Sequence, residues 1–338
     1  MKRRKAATLS SFLLLAGTVA CKPDVGAPIS LISGPAILAV KGQPAEVKPG
    51  AMVTYEVLAA DDTGRIPASG GDVTASAQWA ICEQPKPPIE TNSVSAACLD
   101  TGTWPGQPGA TAVTYSAAMP KDACSQFGPI TPQPEPGQPA IRPRDPDVTD
   151  GYYLPVRVGL EIPPELQRVG MASADSIMAF GLERISCGLA NAPSYAALEF
   201  TKNYTLNLNP TIAQLTWQQG VADPVEASRL EAGGAAIRVQ GGQTVTFLLS
   251  WTPDSVETYP VFDVLTRSIQ YHREAMRVAW YASGGSFAHD VSGRSEDDTE
   301  VFAGNTWKAS VVGLIHLWVV LHDSRGGTDF ASFDVEVD

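Results

Sequence analysis

The last 25 residues restrict the fold more than any other part of the chain. Leu314-Ile-His-Leu-Trp-Val-Val-Leu321 is a near-continuous apolar run of strand length, as expected of a central strand packed on both faces. Asp323-Ser-Arg-Gly326-Gly327 is a turn, and Phe333, Val335 and Val337 then alternate with Asp334 and Glu336. Apolar-polar alternation with period two belongs to a strand with one face toward water. The two segments predict a closing hairpin. Glycine (30) and proline (27) make up 57 of 338 residues, which favours turns and extended segments over long helices.

The same vocabulary occurs twice. Pro35-Ala-Ile37-Leu-Ala-Val40 and Pro210-Thr-Ile212-Ala-Gln-Leu215 share one spacing. Downstream, Gly50-Ala-Met-Val53-Thr54-Tyr55-Glu-Val57 matches Gly242-Gln-Thr-Val245-Thr246-Phe247-Leu-Leu249, a glycine turn followed by strand alternation. Each half continues with an acidic turn and then a tryptophan on an extended segment, Trp79 and Trp280. Order repeated across both halves argues for duplication of one β unit.

An early-strand Trp with a closing hairpin resembles the immunoglobulin-like and PKD-like sandwiches of bacterial surface proteins. The resemblance covers about residues 210–338 and, more weakly, 33–200. Where PKD domains carry Trp-x-Phe-Gly-Asp-Gly, this chain has Trp280-Tyr-Ala-Ser-Gly-Gly-Ser-Phe287. The expected fold is all-β: two immunoglobulin-like β-sandwich domains, 33–208 and 209–338. The first is enlarged by a Pro-rich excursion at about 128–148. Seven prolines between Pro129 and Pro146 forbid helix and ladder pairing there. Leu206–Pro210 is the expected seam.

The start of the chain is built for export. Lys2, Arg3, Arg4 and Lys5 precede Phe12–Ala20, an apolar run that spans only about 14 Å as a helix against a hydrocarbon core of ~30 Å. It ends Thr18-Val19-Ala20-Cys21, then turns polar, so residues 1–20 read as a signal peptide and 21–32 as a tether. Cys21 directly after Ala20 resembles the bacterial lipobox, although Thr18 stands where Leu is usual. That resemblance implies acylation of Cys21 and anchoring to a lipid bilayer, on the periplasmic face or the cell surface. Ordinary signal-peptidase cleavage is the other route.

Cysteine parity bears on the choice. Of five cysteines, removing Cys21 leaves Cys82, Cys98, Cys124 and Cys187, an even set suited to an oxidising compartment. Four cysteines allow three connectivities. The favoured one is Cys82–Cys98 with Cys124–Cys187, the second bracketing the Pro-rich excursion.

A formal net charge of −12 repels phosphate backbones and excludes a nucleic-acid partner. No catalytic set emerges. Asp62-Thr63-Gly64 matches the aspartic-protease tripeptide but has no second copy, and reads as a β-turn. Gly-x-Ser-x-Gly is absent, and His272-Arg-Glu-Ala-Met276 lacks a second histidine. His316 and His322 lie about 20 Å apart along one strand and share no metal. Glu296, Asp297, Asp298 and Glu300 are weak Ca²⁺ candidates, since that ion takes six to eight oxygens from flexible loops. A solvated acidic loop is the plainer reading.

Fold alone carries no activity. The leading expectation is a non-enzymatic cell-envelope lipoprotein serving as a binding, adhesion or structural module, with a protein or glycan ligand and no cofactor. As a whole the chain resembles bacterial lipoproteins of this build, a resemblance that supplies no ligand. The competing expectation is an envelope-anchored hydrolase acting on polysaccharide, because glycosidase carboxylates obey no sequence spacing.

Overall fold

A computed structural model describes residues 28–66, 76–83, 94–99, 114–126, 136–137, 151–162, 176–189 and 192–338. The signal segment, Cys21 and all of the Pro-rich stretch except residues 136–137 lie outside the described residues.

In the first half, β1 (Ala36–Gln43), β3 (Met52–Asp61) and β6 (Thr114–Ala118) form one antiparallel sheet, extended by the short β4 (Gly64–Arg65). The facing sheet contains β5 (Ser76–Ile81), β7 (Gly151–Glu161) and β8 (Ser176–Ser186). The two-residue β2 (Glu46–Val47) runs parallel to the end of β8. A short α1 (Ala123–Gln126) follows β6, and α2 (Ser194–Asn203) follows β8.

The second half repeats the plan. Here β9 (Ile212–Gln219), β12 (Thr244–Trp251) and β18 (Phe302–Lys308) form one sheet, edged by β10 (Val225–Glu226) and β16 (Ser286–Phe287). Opposite it lie β15 (Met276–Ala282), β17 (Val291–Arg294), β19 (Gly313–His322) and β20 (Thr328–Val337). β11 (Ile237–Val239) runs parallel to β20 as β2 does to β8. A separate hairpin, β13 (Thr258–Asp263) and β14 (Ser268–Arg273), packs with α2. Both halves are immunoglobulin-like β-sandwiches.

The internal repeat falls on equivalent strands. Ile37 and Ile212 lie on β1 and β9, the Val-Tyr-Val and Val-Phe-Leu triplets on β3 and β12, and the two tryptophans on β5 and β15. The preceding turns both need a residue at positive φ, Gly50 at 80° and Gly242 at 76°, which a side chain would strain. Alternation drives Val53, Tyr55 and Val57, like Val245, Phe247 and Leu249, into their cores. There Tyr55 stacks on Trp79 at 6.1 Å and Phe247 on Trp280 at 6.5 Å.

The hairpin of β19 and β20 forms as the pattern demands, paired from Gly313–Val337 to His322–Thr328. Its apolar continuity has a specific cause. Ile315, Leu317, Val319 and Leu321 point into the second domain's own core. Trp318 and Val320 point the other way and pack against Ile32, Ala39, Leu58 and Ala60. Leu58 and Ala60 in turn lie on the outer face of β3, whose inner face holds Val57 and Ala59. The two sandwiches are thus joined sheet to sheet, not end to end. Ile32 reaches this layer because Ser30–Ile32 run beside Ala282, with the Ile32 amide donating to the Ala282 carbonyl at 2.9 Å.

Two tryptophans therefore separate the two kinds of burial. Trp280→Ala should cost about 3–5 kcal/mol, since that ring lies wholly in one core. Trp318→Ala should cost a comparable amount in the full chain. In a 209–338 fragment, where its cover is gone, the Trp318 substitution should move the melting temperature far less than Trp280→Ala, and tryptophan emission should lie to the red of the full chain's. Equal melting shifts of the two variants in the fragment would show that Trp318 is buried within its own domain.

Candidate functional site: the ionic seam and the cleft beside it

The turn that closes the last hairpin carries the centre of the site. Asp323 holds this turn by accepting from the amides of Arg325 (2.9 Å) and Gly327 (2.8 Å), and Gly326 adopts φ 102°. That geometry inserts Arg325, 2% exposed, between the domains. Its Nε donates to Glu274 and one terminal nitrogen to Glu257, each at 2.7 Å. The other donates to the Thr205 carbonyl at 3.1 Å and lies 3.9 Å from Glu46. The Tyr259 ring sits 4.7 Å below the guanidinium. Glu46, from β2, also pairs with buried Arg184 of β8 at 3.3 Å, and it accepts from the Tyr204 hydroxyl and the Asn207 amide at 2.8 Å.

The connecting segment is bonded to both sides. Asn207 donates to Asp323, while Asn209 donates to the Gly42 carbonyl and accepts from the Thr328 amide. Lys41 of β1 pairs with Asp329 of β20 at 2.8 Å. The short Leu206–Pro210 linker is part of the interface.

Four carboxylates (Glu46, Glu257, Glu274, Asp323) face two guanidiniums here. Burial is the largest influence on Glu274, with the charge of Asp323 adding to it and Arg325 opposing. The carboxyl is pushed up to about 7. Burial likewise raises Glu257 and Asp323. In the first core, Glu183 is 2% exposed with one carboxylate oxygen unpartnered. Burial, with Glu46 adding to it, pushes its carboxyl up to about 9.

Beside this seam a cleft of about 560 Å³ opens between the domains. Ile37–Val40 of β1 and Ala179–Leu182 of β8 form one wall. Arg277 and Ala279 of β15, Val291 of β17 and His322 form the other. His322 stands opposite Arg277 across the ladder, and burial together with that cation lowers its pKa.

The residues singled out from sequence fall mostly elsewhere. Cys82 and Cys98 are bridged with Cα atoms 5.8 Å apart, and Cys124 and Cys187 at 5.4 Å, both within disulfide reach. Asp62-Thr63-Gly64 is a turn in which Asp61 accepts from the Thr63 amide at 2.8 Å. His316 pairs with Asp334 across β19 and β20 at 2.7 Å and lies against Gly64.

The acidic run is turned toward cations. Glu296 bonds His272 at 2.9 Å, Asp298 bonds Arg294 at 3.0 Å, Glu300 also pairs with Arg294, and Asp297 is exposed. Among the described residues no group of three or more His, Cys, Asp or Glu is arranged to hold a metal ion. A Ca²⁺ ion bound by Glu296, Asp297, Asp298 and Glu300 would have to displace Arg294. No sequence pattern marked Arg325, Glu46 or Glu274, because their partnership spans the whole chain.

No family model and no curated protein matches the chain. Among solved structures it is similar to the fibronectin(III)-like modules of Clostridium thermocellum CbhA, with 9% identity, 89% of this chain and 94% of that one covered, and a TM-score of 0.24. It is also similar to the N-terminal Ig1-2 module of the Drosophila receptor tyrosine phosphatase DLAR (12%, 90% and 99%, TM-score 0.22). The D00-D0 domain of intimin gives 7%, 90% and 98%, with a TM-score of 0.21. At such scores no property of those proteins transfers to this chain.

The raised carboxyls set a direction for pH. A carboxyl whose pKa is higher folded than unfolded contributes stability that is complete below its ordinary value of 4.5. That contribution is lost as pH rises through about 7 for Glu274 and about 9 for Glu183. Glu183→Gln keeps the shape and removes the buried charge. It should raise the melting temperature at pH 8–9 and change it little at pH 4. A shift independent of pH would show that Glu183 is not held protonated.

Proposed function

We propose that the protein is a non-enzymatic binding or structural module, exported and held at a bilayer by an acyl group on Cys21. The observation that carries the reading is the sealed ionic seam. A guanidinium whose nitrogens are bonded to Glu274 and Glu257 of its own domain and to Thr205 of the connecting segment, with Glu46 of the first domain 3.9 Å away, supports a fixed relative orientation of the two sandwiches. That is the build of a stiff presenting or scaffolding unit, with its linker tied down. The hydrolase alternative draws no support from the cleft: among the described residues its one lining carboxylate, Asp323, is held by the turn amides and Asn207.

Rigidity is measurable. Small-angle scattering of the chain without residues 1–27 should fit a single compact orientation. Arg325→Met leaves Glu274 buried without its cation and takes the partner of Glu257 as well, while Glu46 keeps Arg184, and should cost about 3–5 kcal/mol and loosen the pair. An unchanged scattering profile and melting curve would remove the seam as the rigid element.

The anchor has its own test. Intact mass of the chain produced in a lipidating bacterium should show a mature protein starting at Cys21 and carrying acyl mass. A free periplasmic protein without it would end that part of the reading.

A further inference from the structure

We infer that the cleft between the domains takes an extended apolar polypeptide segment from a partner, which adds as a strand to the open edge of β8 with a carboxylate group at Arg277. This deepens the binding-module reading and rests on it. The cleft wall is built from runs of consecutive residues, Ile37–Val40 and Ala179–Leu182. Successive side chains of a strand point to opposite faces, so four neighbours in a row line a cleft only when the strand edge, with its backbone, faces it.

The pairing confirms which edge is open. β8 pairs with β7 along its whole length, and on its other side, among the described residues, it pairs with β2 only at Arg184 and Ile185. Leu182 stands opposite Pro155, which has no N–H, and the Pro155 carbonyl accepts from the Cys82 amide on the far side of β7. The Leu182–Pro155 pair is therefore not hydrogen-bonded, and the Leu182 N–H and C=O point away from β7. Period two puts the backbone groups of Phe180 and Met178 on that same outer side, the side on which Arg184 meets β2.

Side chains and charge specify the occupant. Met178 and Leu182 on β8 are each 45% exposed, and Val291 across the cleft is 44% exposed. Apolar surface rimming an open edge fits the alternate residues of an added strand. Arg277 lines the cleft with no ion pair to any described residue. In a chain of net charge −12, it is a local site for a carboxylate that the rest of the surface repels.

The test uses the chain without residues 1–27 and fluorescein-labelled nine-residue peptides of alternating Val and Thr ending in Glu, read by anisotropy. Hydrogen exchange locates the binding. The peptide should bind and protect amides within 176–182. Methylating alternate backbone nitrogens of the peptide should weaken binding by about tenfold or more, because the strand bonds are lost while the side chains stay. Phe180→Pro removes one outward donor without touching the β7 ladder and should weaken binding similarly; because it also strips packing from the Cys82–Cys98 cluster, Phe180→Ala is its control, keeping the donor and binding about tenfold more tightly than the proline variant. Arg277→Glu should weaken the Glu-ended peptide by about tenfold and leave an amide-ended Val-Thr peptide unaffected.

Absence of binding at millimolar peptide, equal binding of the methylated peptide, or protection confined to other strands would each overturn the inference. Displacement by dodecanoate without any amide protection would make the cleft an amphiphile site instead. None of these outcomes alters the scattering profile, which tests the module reading separately.

Discussion

The arrangement of the two domains depends on satisfying one buried guanidinium. Arg325 has lost its water, and a buried charge is tolerated only when paired and fully hydrogen-bonded. Its partners come from the β14–β15 junction (Glu274), the segment before β13 (Glu257), the linker (Thr205) and, at longer range, β2 of the other domain (Glu46). Glu274 and Glu257 hold it within its own domain, and Thr205 and Glu46 are the partners that a rotation of one sandwich over the other would displace. Such a network adds little net stability over an apolar contact of equal size. Its contribution here is orientation. The excess of carboxylates is absorbed by amide donors from Asn207, Leu208, Glu257, Arg325 and Gly327, and by the raised pKa of Glu274.

The apolar layer of Trp318, Val320, Leu58 and Ala60 supplies the adhesion that the ionic seam does not. Apolar burial is non-directional, so this layer alone would let the sheets slide. Adhesion and register thus come from adjacent but different chemistry, both partly on the β19–β20 hairpin. A tryptophan on its strand and an arginine in its turn serve the two roles.

Much of this was legible in sequence, and where it was not, the reason is physical. Period-two alternation in Val53-Tyr55-Val57 and Val245-Phe247-Leu249 reports local backbone geometry, so the strands and the duplication could be read directly. Leu314–Leu321 announced a doubly covered strand, and the second cover proved to be the other domain rather than a third layer of its own. α2 and the β13–β14 hairpin went unread. Val261 and Phe262 lie in a segment too short and mixed to declare its pairing, and the helix depends for support on the hairpin it packs against. Arg325 was visible only as a turn residue between Asp323 and two glycines. Its function depends on Glu46 and Glu274, which no spacing rule links to it.

Open strand edges are hazards that folds ordinarily guard with charge, proline or a bulge. β1 is guarded. Its register breaks at a bulge between Ile37 and Ala39, and Lys41 is drawn across to Asp329. β20 is covered by β11. β8 has neither device over Ser176–Leu182, where the sequence Ser-Ile-Met-Ala-Phe-Gly-Leu contains no charge and no proline and the β7 register runs unbroken. Among the described residues its protection is steric. Gly181 lets β1 come so near that a Cβ there would meet Val40 at 2.6 Å, and the second domain overhangs the rest of the edge as the far wall of the cleft. The seam that fixes the domains therefore also places the far wall over β8, and a single extended strand is the occupant inferred for the space between them.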